Sequence, residues 1–194
     1  SDSSRNINGD IMGTLFVDKL DPQSGTSLEI GSSGDTITIP SGATIANSGT
    51  ATGFGGSMTP AFYATATTTR AIPDSAWTAL TYNTEVWDSA GCFDTSTGKF
   101  TPTTAGKYFL FASMRWDTDV NFNISYLGIY KNTSVDAQAG FPQDYYNIYY
   151  TGAIFEANGS SDYFWTKAQH NQGGSQNLSA SAYANFFGGY KIIE

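Results

Sequence analysis

Residues 93–111 read FDTSTGKFTPTTAGKYFLF. Phe93 and Phe100 flank a Ser96-Thr97-Gly98 turn, and Gly98 can take the positive φ that so tight a reversal needs. The stretch therefore predicts a hairpin. Pro102, with no N–H to give to a ladder, belongs at a strand edge. A second turn at Ala105-Gly106 feeds Lys107-Tyr-Phe-Leu-Phe111. With the period of two of a strand, Tyr108 and Leu110 share one face while Phe109 and Phe111 share the other. An antiparallel sheet normally leaves one face to water. A strand that is apolar on both sides predicts a partner subunit over the second face.

Working outward, strand-like words recur from Pro60 to the end: AFYATA, WTALTY, FNISYLGIYKN, YNIYYTGAIFEA, YFWTKAQH and LSASAYANFFGGYKII. Turns such as Lys131-Asn132 and Asn158-Gly159-Ser160 separate them, and no 3.6-residue period persists beyond one turn. Residues 57–194 are thus expected to form an all-β sandwich of approximately ten strands. Aromatics reach 15 % and charged residues only 13 %, with 21 glycines, a composition suited to short strands and tight turns. The net charge of −8 repels phosphate backbones and argues against a nucleic-acid partner. No apolar run approaches the ~20 residues of a membrane-spanning helix, so no membrane insertion is expected. Cys92 is the single cysteine and reads as a small buried hydrophobe.

Residues 1–56 obey different rules. From Leu28 the text is LEIGSSGDTITIPSGATIANSG, with Leu28 and Ile30, then Ile37 and Ile39, then Ile45 spaced as short strands. Gly-Ser-Ser-Gly-Asp and Pro-Ser-Gly act as the turns between them. Strands this short close no core of their own. Three copies wound about a common axis would bury those side chains, so the segment is read as an intertwined trimeric β-stalk. A hinge rich in Gly, Ser and Thr follows, at residues 46–60.

Residues 82–111 resemble the complement C-one-q globular heads, of the tumour-necrosis-factor-like jelly-roll superfamily, through Tyr82, Asp88, Phe93, Phe100, Gly106 and Tyr108. Leu127-Gly-Ile-Tyr-Lys-Asn132, residues 151–168 and Phe187-Gly-Gly-Tyr190 are similar to later words of the same family. Tyr82, Leu110 and Ala112 depart from the family's preferred residues while keeping an apolar character. The resemblance implies a jelly-roll head that assembles as a homotrimer. The preceding segment resembles β-structured repeats in tail-fibre and other virion proteins of marine bacteriophages. That implies a virion location, with the N-terminal segment anchoring to other virion proteins.

No catalytic constellation stands out. His170 with Ser175 lacks a nucleophile-elbow context, and carboxylates such as Glu85, Asp88, Asp117, Asp144 and Glu156 supply only the pairs that any acidic β-protein would. Asp117, Asp119 and Asn121 offer oxygen ligands at alternate positions, a possible Ca2+ site without the glycine and terminal acid of an EF-hand loop; otherwise no cofactor is expected. The aromatic loop 140–150 offers Phe141, Tyr145 and Tyr146 as flat faces for a sugar ring. His170, Asn171, Gln172 and Asn177, read as a polar loop, would add hydrogen-bonding groups. The expected function is a trimeric bacteriophage fibre protein, not an enzyme, whose head binds a host cell-surface glycan or protein. A non-binding structural fibre or capsid decoration, and a polysaccharide depolymerase, are the alternatives.

Overall fold

The computed structural model describes residues 18–49, 58–117, 122–140 and 148–192. The chain divides into two compact units, Ser1–Ala51 and Thr52–Glu194.

In the first unit the expected turns are present. The Asp35 amide donates to the Ser32 carbonyl, the Asp35 carboxylate accepts from the Ser32 amide, and the Ala43 amide donates to the Pro40 carbonyl. Gly31, Gly34 and Gly42 take the positive φ these reversals need. The expected strands are absent: residues 18–49 contain none, and Leu28, Ile30, Ile37, Ile39 and Ile45 all stand exposed. A single chain offers these segments no ladder partner, and the turns between them do not fold one against the next.

The second unit is all-β. Its strands among the described residues are β1 (Ala61–Thr65), β2 (Arg70–Ile72), β3 (Thr78–Ala79), β4 (Thr84–Asp88), β5 (Phe93–Asp94), β6 (Lys99–Phe100), β7 (Gly106–Arg115), β8 (Ser125–Lys131), β9 (Ser134–Gly140), β10 (Ile148–Ala157), β11 (Phe164–His170), β12 (Gln176–Leu178) and β13 (Phe186–Lys191). One sheet runs β10-β7-β13-β1-β4. The other runs β5-β6-β11-β8-β9, with β3 also on β11, and β12 pairs with β2. Every pairing is antiparallel, and sequence-distant strands such as β1 and β13 lie side by side, the mark of Greek-key winding. Ten strands lie on the two main paths. The short β2, β3 and β12 are additional, because two or three paired residues are too little to announce a strand in sequence.

The opening hairpin forms as expected. Phe93 pairs with Phe100 and Asp94 with Lys99, and Gly98 takes φ 70° directly beneath the Leu80 carbonyl, where a Cβ would collide. The Asp94 carboxylate accepts from the Ser96 amide, Ser96 Oγ and Thr97 Oγ1, and these bonds hold its pKa down at about 2. The core fills the space between the sheets with stacked rings. Phe62 lies 4.9 Å from Phe93 and 4.3 Å from Phe100, and Phe100 meets Tyr108 edge-on at 5.7 Å. The residues that carry the resemblance are core and turn residues. Tyr82 is buried with its hydroxyl 2.7 Å from Thr166 Oγ1, and Asp88 accepts from the Phe93 amide at 2.7 Å. Cys92 is buried and free.

One clamp ties the β8–β9 turn to the β10–β11 connection. Asn132, at φ 54°, accepts from the Tyr163 amide and donates Nδ2 to Asp162 at 3.0 Å. The Asp162 carboxylate also receives the Asn158 amide and the Lys131 ammonium, the latter at 3.0 Å. Asn132 first, then Lys131 and Asn158, hold the Asp162 carboxyl below the usual carboxylate range.

Candidate functional site

The two sheets present two different outer faces. On the first sheet, the outward positions of β7, β13, β1 and β10 are Phe109 and Phe111, Phe186 and Tyr190, Tyr63, and Tyr150. Their rings touch in one continuous group: Phe109 to Phe111 at 6.0 Å, Phe109 to Tyr190 at 5.8 Å, Tyr63 to Phe186 at 5.7 Å, and Tyr150 to Phe186 at 6.5 Å. Glycines make the floor on which these rings lie. A Cβ on Gly188 would sit 2.8 Å from Phe111 and 2.9 Å from Tyr63, and one on Gly152 would sit 3.3 Å from Phe109. The other rings desolvate the Tyr63 hydroxyl and push its pKa up. Ile148, Tyr150 and Ile154 on β10 are 58 %, 56 % and 61 % exposed, and Trp87 on β4 is exposed as well. This is a sheet face with the side chains of a core and no core against it.

The outer face of the second sheet is mixed. In β11 the inward residues are Phe164, Thr166, Ala168 and His170, which leaves Trp165, Lys167 and Gln169 outward. Lys167 Nζ stands 4.3 Å from the Trp165 ring and 4.5 Å from the Tyr130 ring; Lys99 Nζ stands 4.1 Å from Tyr163 and 5.2 Å from Trp165. The Trp165 indole N–H donates to the Asn132 carbonyl at 2.7 Å, which fixes the ring. Tyr130 Cε2 occupies the space beside Gly128 where a Cβ would stand, and burial raises the Tyr130 pKa. Trp77 stacks beside Tyr126 at 6.0 Å and meets Tyr130 edge-on at 5.6 Å.

The residues expected to bind a ligand are distributed otherwise. Phe141, Tyr145 and Tyr146 lie outside the described residues, as do Asp119 and Asn121 of the expected cation site. Asp117 is exposed, its amide bonded to the Asn177 carbonyl. His170 is corrected: it is not a loop residue but the last inward position of β11, fully buried against Trp116 and Phe122. Its Nε2 is bonded to the Ile72 carbonyl at 2.9 Å and its Nδ1 to the Gln172 amide at 3.2 Å, so the ring pins two backbone segments. Asn171, half-buried, accepts from the Ile124 amide, and Gln172 Oε1 is buried. The Gly173 amide caps Asp74 and lowers the pKa of that carboxyl, with Ser75 and His170 adding to the effect. Of these four residues only Asn177 is exposed. Tyr149 and Tyr150 part company by strand alternation, the first into the core and the second onto the outer face.

The head superposes on jelly-roll heads of the tumour-necrosis-factor and complement C-one-q type. Against the crystal structure of murine APRIL at pH 8.0 the TM-score is 0.52 at 14 % identity, covering 68 % of this chain and 98 % of that one. The globular domain of the zebrafish complement 1qA protein gives 0.52 at 17 % identity, covering 69 % and 96 %. Eiger TNF from S. frugiperda gives 0.51 at 15 % identity, covering 68 % and 91 %. The likeness is one of fold. The sequence matches no family model and no curated protein. At such identity what is shared is the fold alone.

Proposed function

We propose that this chain is a homotrimeric, non-enzymatic binding head carried on an N-terminal stalk, serving as a bacteriophage virion fibre that engages a host-surface glycan or protein. One observation supports the reading above the others: the continuous aromatic face formed by Tyr63, Phe109, Phe111, Tyr150, Phe186 and Tyr190 on the first sheet. Contiguous apolar surface of this kind marks an interface, and a heterologous contact that closes on itself after three copies removes it from water. The same assembly would bring three N-terminal segments together and give Leu28, Ile30, Ile37, Ile39 and Ile45 a shared interior. Three tethered heads then multiply a weak single-site affinity through effective concentration. In the virion, other structural proteins would hold the N-terminal segment.

The test has two parts. Sedimentation should give a mass three times 20.8 kDa, and the trimer should bind host cells saturably without releasing oligosaccharide. A monomer at micromolar concentration overturns the assembly. A folded trimer that binds no cells points to a spacing or decorating fibre, and released product to a depolymerase.

A further inference from the structure

The outer face of the second sheet has a composition that sheet stability alone does not require. It holds two lysines, Lys99 and Lys167, and among the described residues no carboxylate forms an ion pair with either. Each ammonium is instead placed over aromatic rings, and both share the Trp165 ring, so they lie within about 10 Å of each other. Rings satisfy the underside of an ammonium and leave its outward N–H groups to water or to an anion. Asp94, cross-strand from Lys99, gives its carboxylate oxygens to Ser96 and Thr97, and the two ammoniums are left over rings on a chain of net charge −8.

The supporting rings are fixed in advance. The Trp165 indole is held by its hydrogen bond to the Asn132 carbonyl, and Tyr130 is pressed onto Gly128. Beside them Trp77, 36 % exposed, and Tyr126 form a near-parallel pair with 25° between their planes. Flat, preorganised rings lose little entropy when a sugar stacks on them. The face lies across the sandwich from the aromatic seam, so a trimer closed through the first sheet leaves it open.

We infer that this face binds an acidic polysaccharide, with Lys99 and Lys167 pairing carboxylate or sulfate groups and Trp77 stacking on a pyranose ring. The inference rests on the glycan-binding reading above and assigns that ligand a chemical class and a place. It locates recognition on the sheet, away from the aromatic loop and the His170 segment.

The test is direct binding of the purified trimer to polygalacturonate, neutral dextran and polyglutamate, with Trp77→Ala and Lys99→Gln/Lys167→Gln variants whose melting and mass match the parent. Polygalacturonate should bind saturably and at least tenfold more tightly than dextran or polyglutamate. Either variant should weaken it at least tenfold, and the double lysine variant should flatten its salt dependence. Polyglutamate binding as tightly as polygalacturonate, with Trp77→Ala silent, reduces the face to unspecific charge and overturns the inference. So does polygalacturonate binding that both variants leave unchanged, or none at all. If neutral dextran or host cells bind while polygalacturonate does not, the acidic class is wrong and the glycan-binding reading stands. Failure of the trimer to bind any cell removes the reading itself.

Discussion

Gly188 and Gly189 are neighbours on β13 that face opposite sides of the same sheet, and the same substitution at each should fail in different ways. A Cβ on Gly189 points into the core, against Leu110 and 2.9 Å from the Phe109 carbonyl oxygen. Backbone cannot swing aside, so Gly189→Ala overpacks the sandwich at about 1–3 kcal/mol. For a domain of this size that is roughly 3–10 °C of Tm. A Cβ on Gly188 meets Phe111 Cζ at 2.8 Å and Tyr63 Cδ2 at 2.9 Å, both ring atoms of side chains on the open face. In a monomer those rings would tilt into water. The chain-entropy gain of Gly→Ala, about 0.4–1 kcal/mol, would then offset much of the cost. In a trimer closed through this face the rings have nowhere to go. About 1 kcal/mol per protomer then becomes about 3 kcal/mol per assembly, a trimer roughly a hundredfold weaker. Sedimentation across a dilution series reads the assembly, and calorimetry at high concentration reads the fold. Gly188→Ala should dissociate at higher concentration with its head intact, whereas Gly189→Ala should melt early. Unchanged association in Gly188→Ala, from a wild type shown to be trimeric, would place the seam elsewhere.

Two further outcomes concern the fold. Asn132→Ala should cost about 2–4 kcal/mol in a denaturant melt, because it removes the bonds to Asp162 and the Tyr163 amide and leaves at φ 54° a residue without the amide that lets Asn tolerate that conformation; Asn132→Gly should recover only the backbone share, about 1 kcal/mol. Burial, with the neighbouring Cys92 adding to it, raises the Tyr108 hydroxyl to about 12, so the unfolded chain loses this proton first and the stabilisation it reflects is whole below about pH 10 and declines as pH rises toward 12. Tyr108→Phe should flatten that alkaline decline in melts taken at successive pH values without abolishing it, since burial also raises Tyr82.

What could be read from the chain and what could not divides along physical lines. The Phe93–Phe100 hairpin, the Gly98 turn and the two-faced strand Tyr108–Phe111 were legible because turn chemistry and a period of two are local properties. His170 was misread because the polar letters around it describe its neighbours. The strand of alternating burial that ends on it extends further than the polar run suggests, and its partner at Ile72 is set by tertiary structure. The lysine–aromatic face was missed although part of its signal was present. Tyr163, Trp165 and Lys167 alternate along YFWTKAQH with the inward residues, but Lys99, Trp77 and Tyr126 reach the same face from three other segments. Convergence of that kind leaves no pattern in a single window of sequence.

The contrast between the two outer faces would let one sandwich associate through one side and not the other. Both faces are rich in rings, and either would promote association if it were purely apolar. On the first sheet the rings pack on one another and on the glycine floor. On the second sheet each cluster of rings has an ammonium over it. Burying that face against an identical one would desolvate four lysine charges, at a cost that ring contact does not return. An anionic ligand neutralises the same charges and offsets part of that cost. Removing both charges with Lys99→Gln/Lys167→Gln should therefore have a second effect beside lost binding. It should make the outer face adhesive, so that the variant trimer self-associates at high concentration where the parent does not. Light scattering over a concentration series distinguishes the two, and a double variant that stays strictly trimeric would mean the lysines serve the ligand alone.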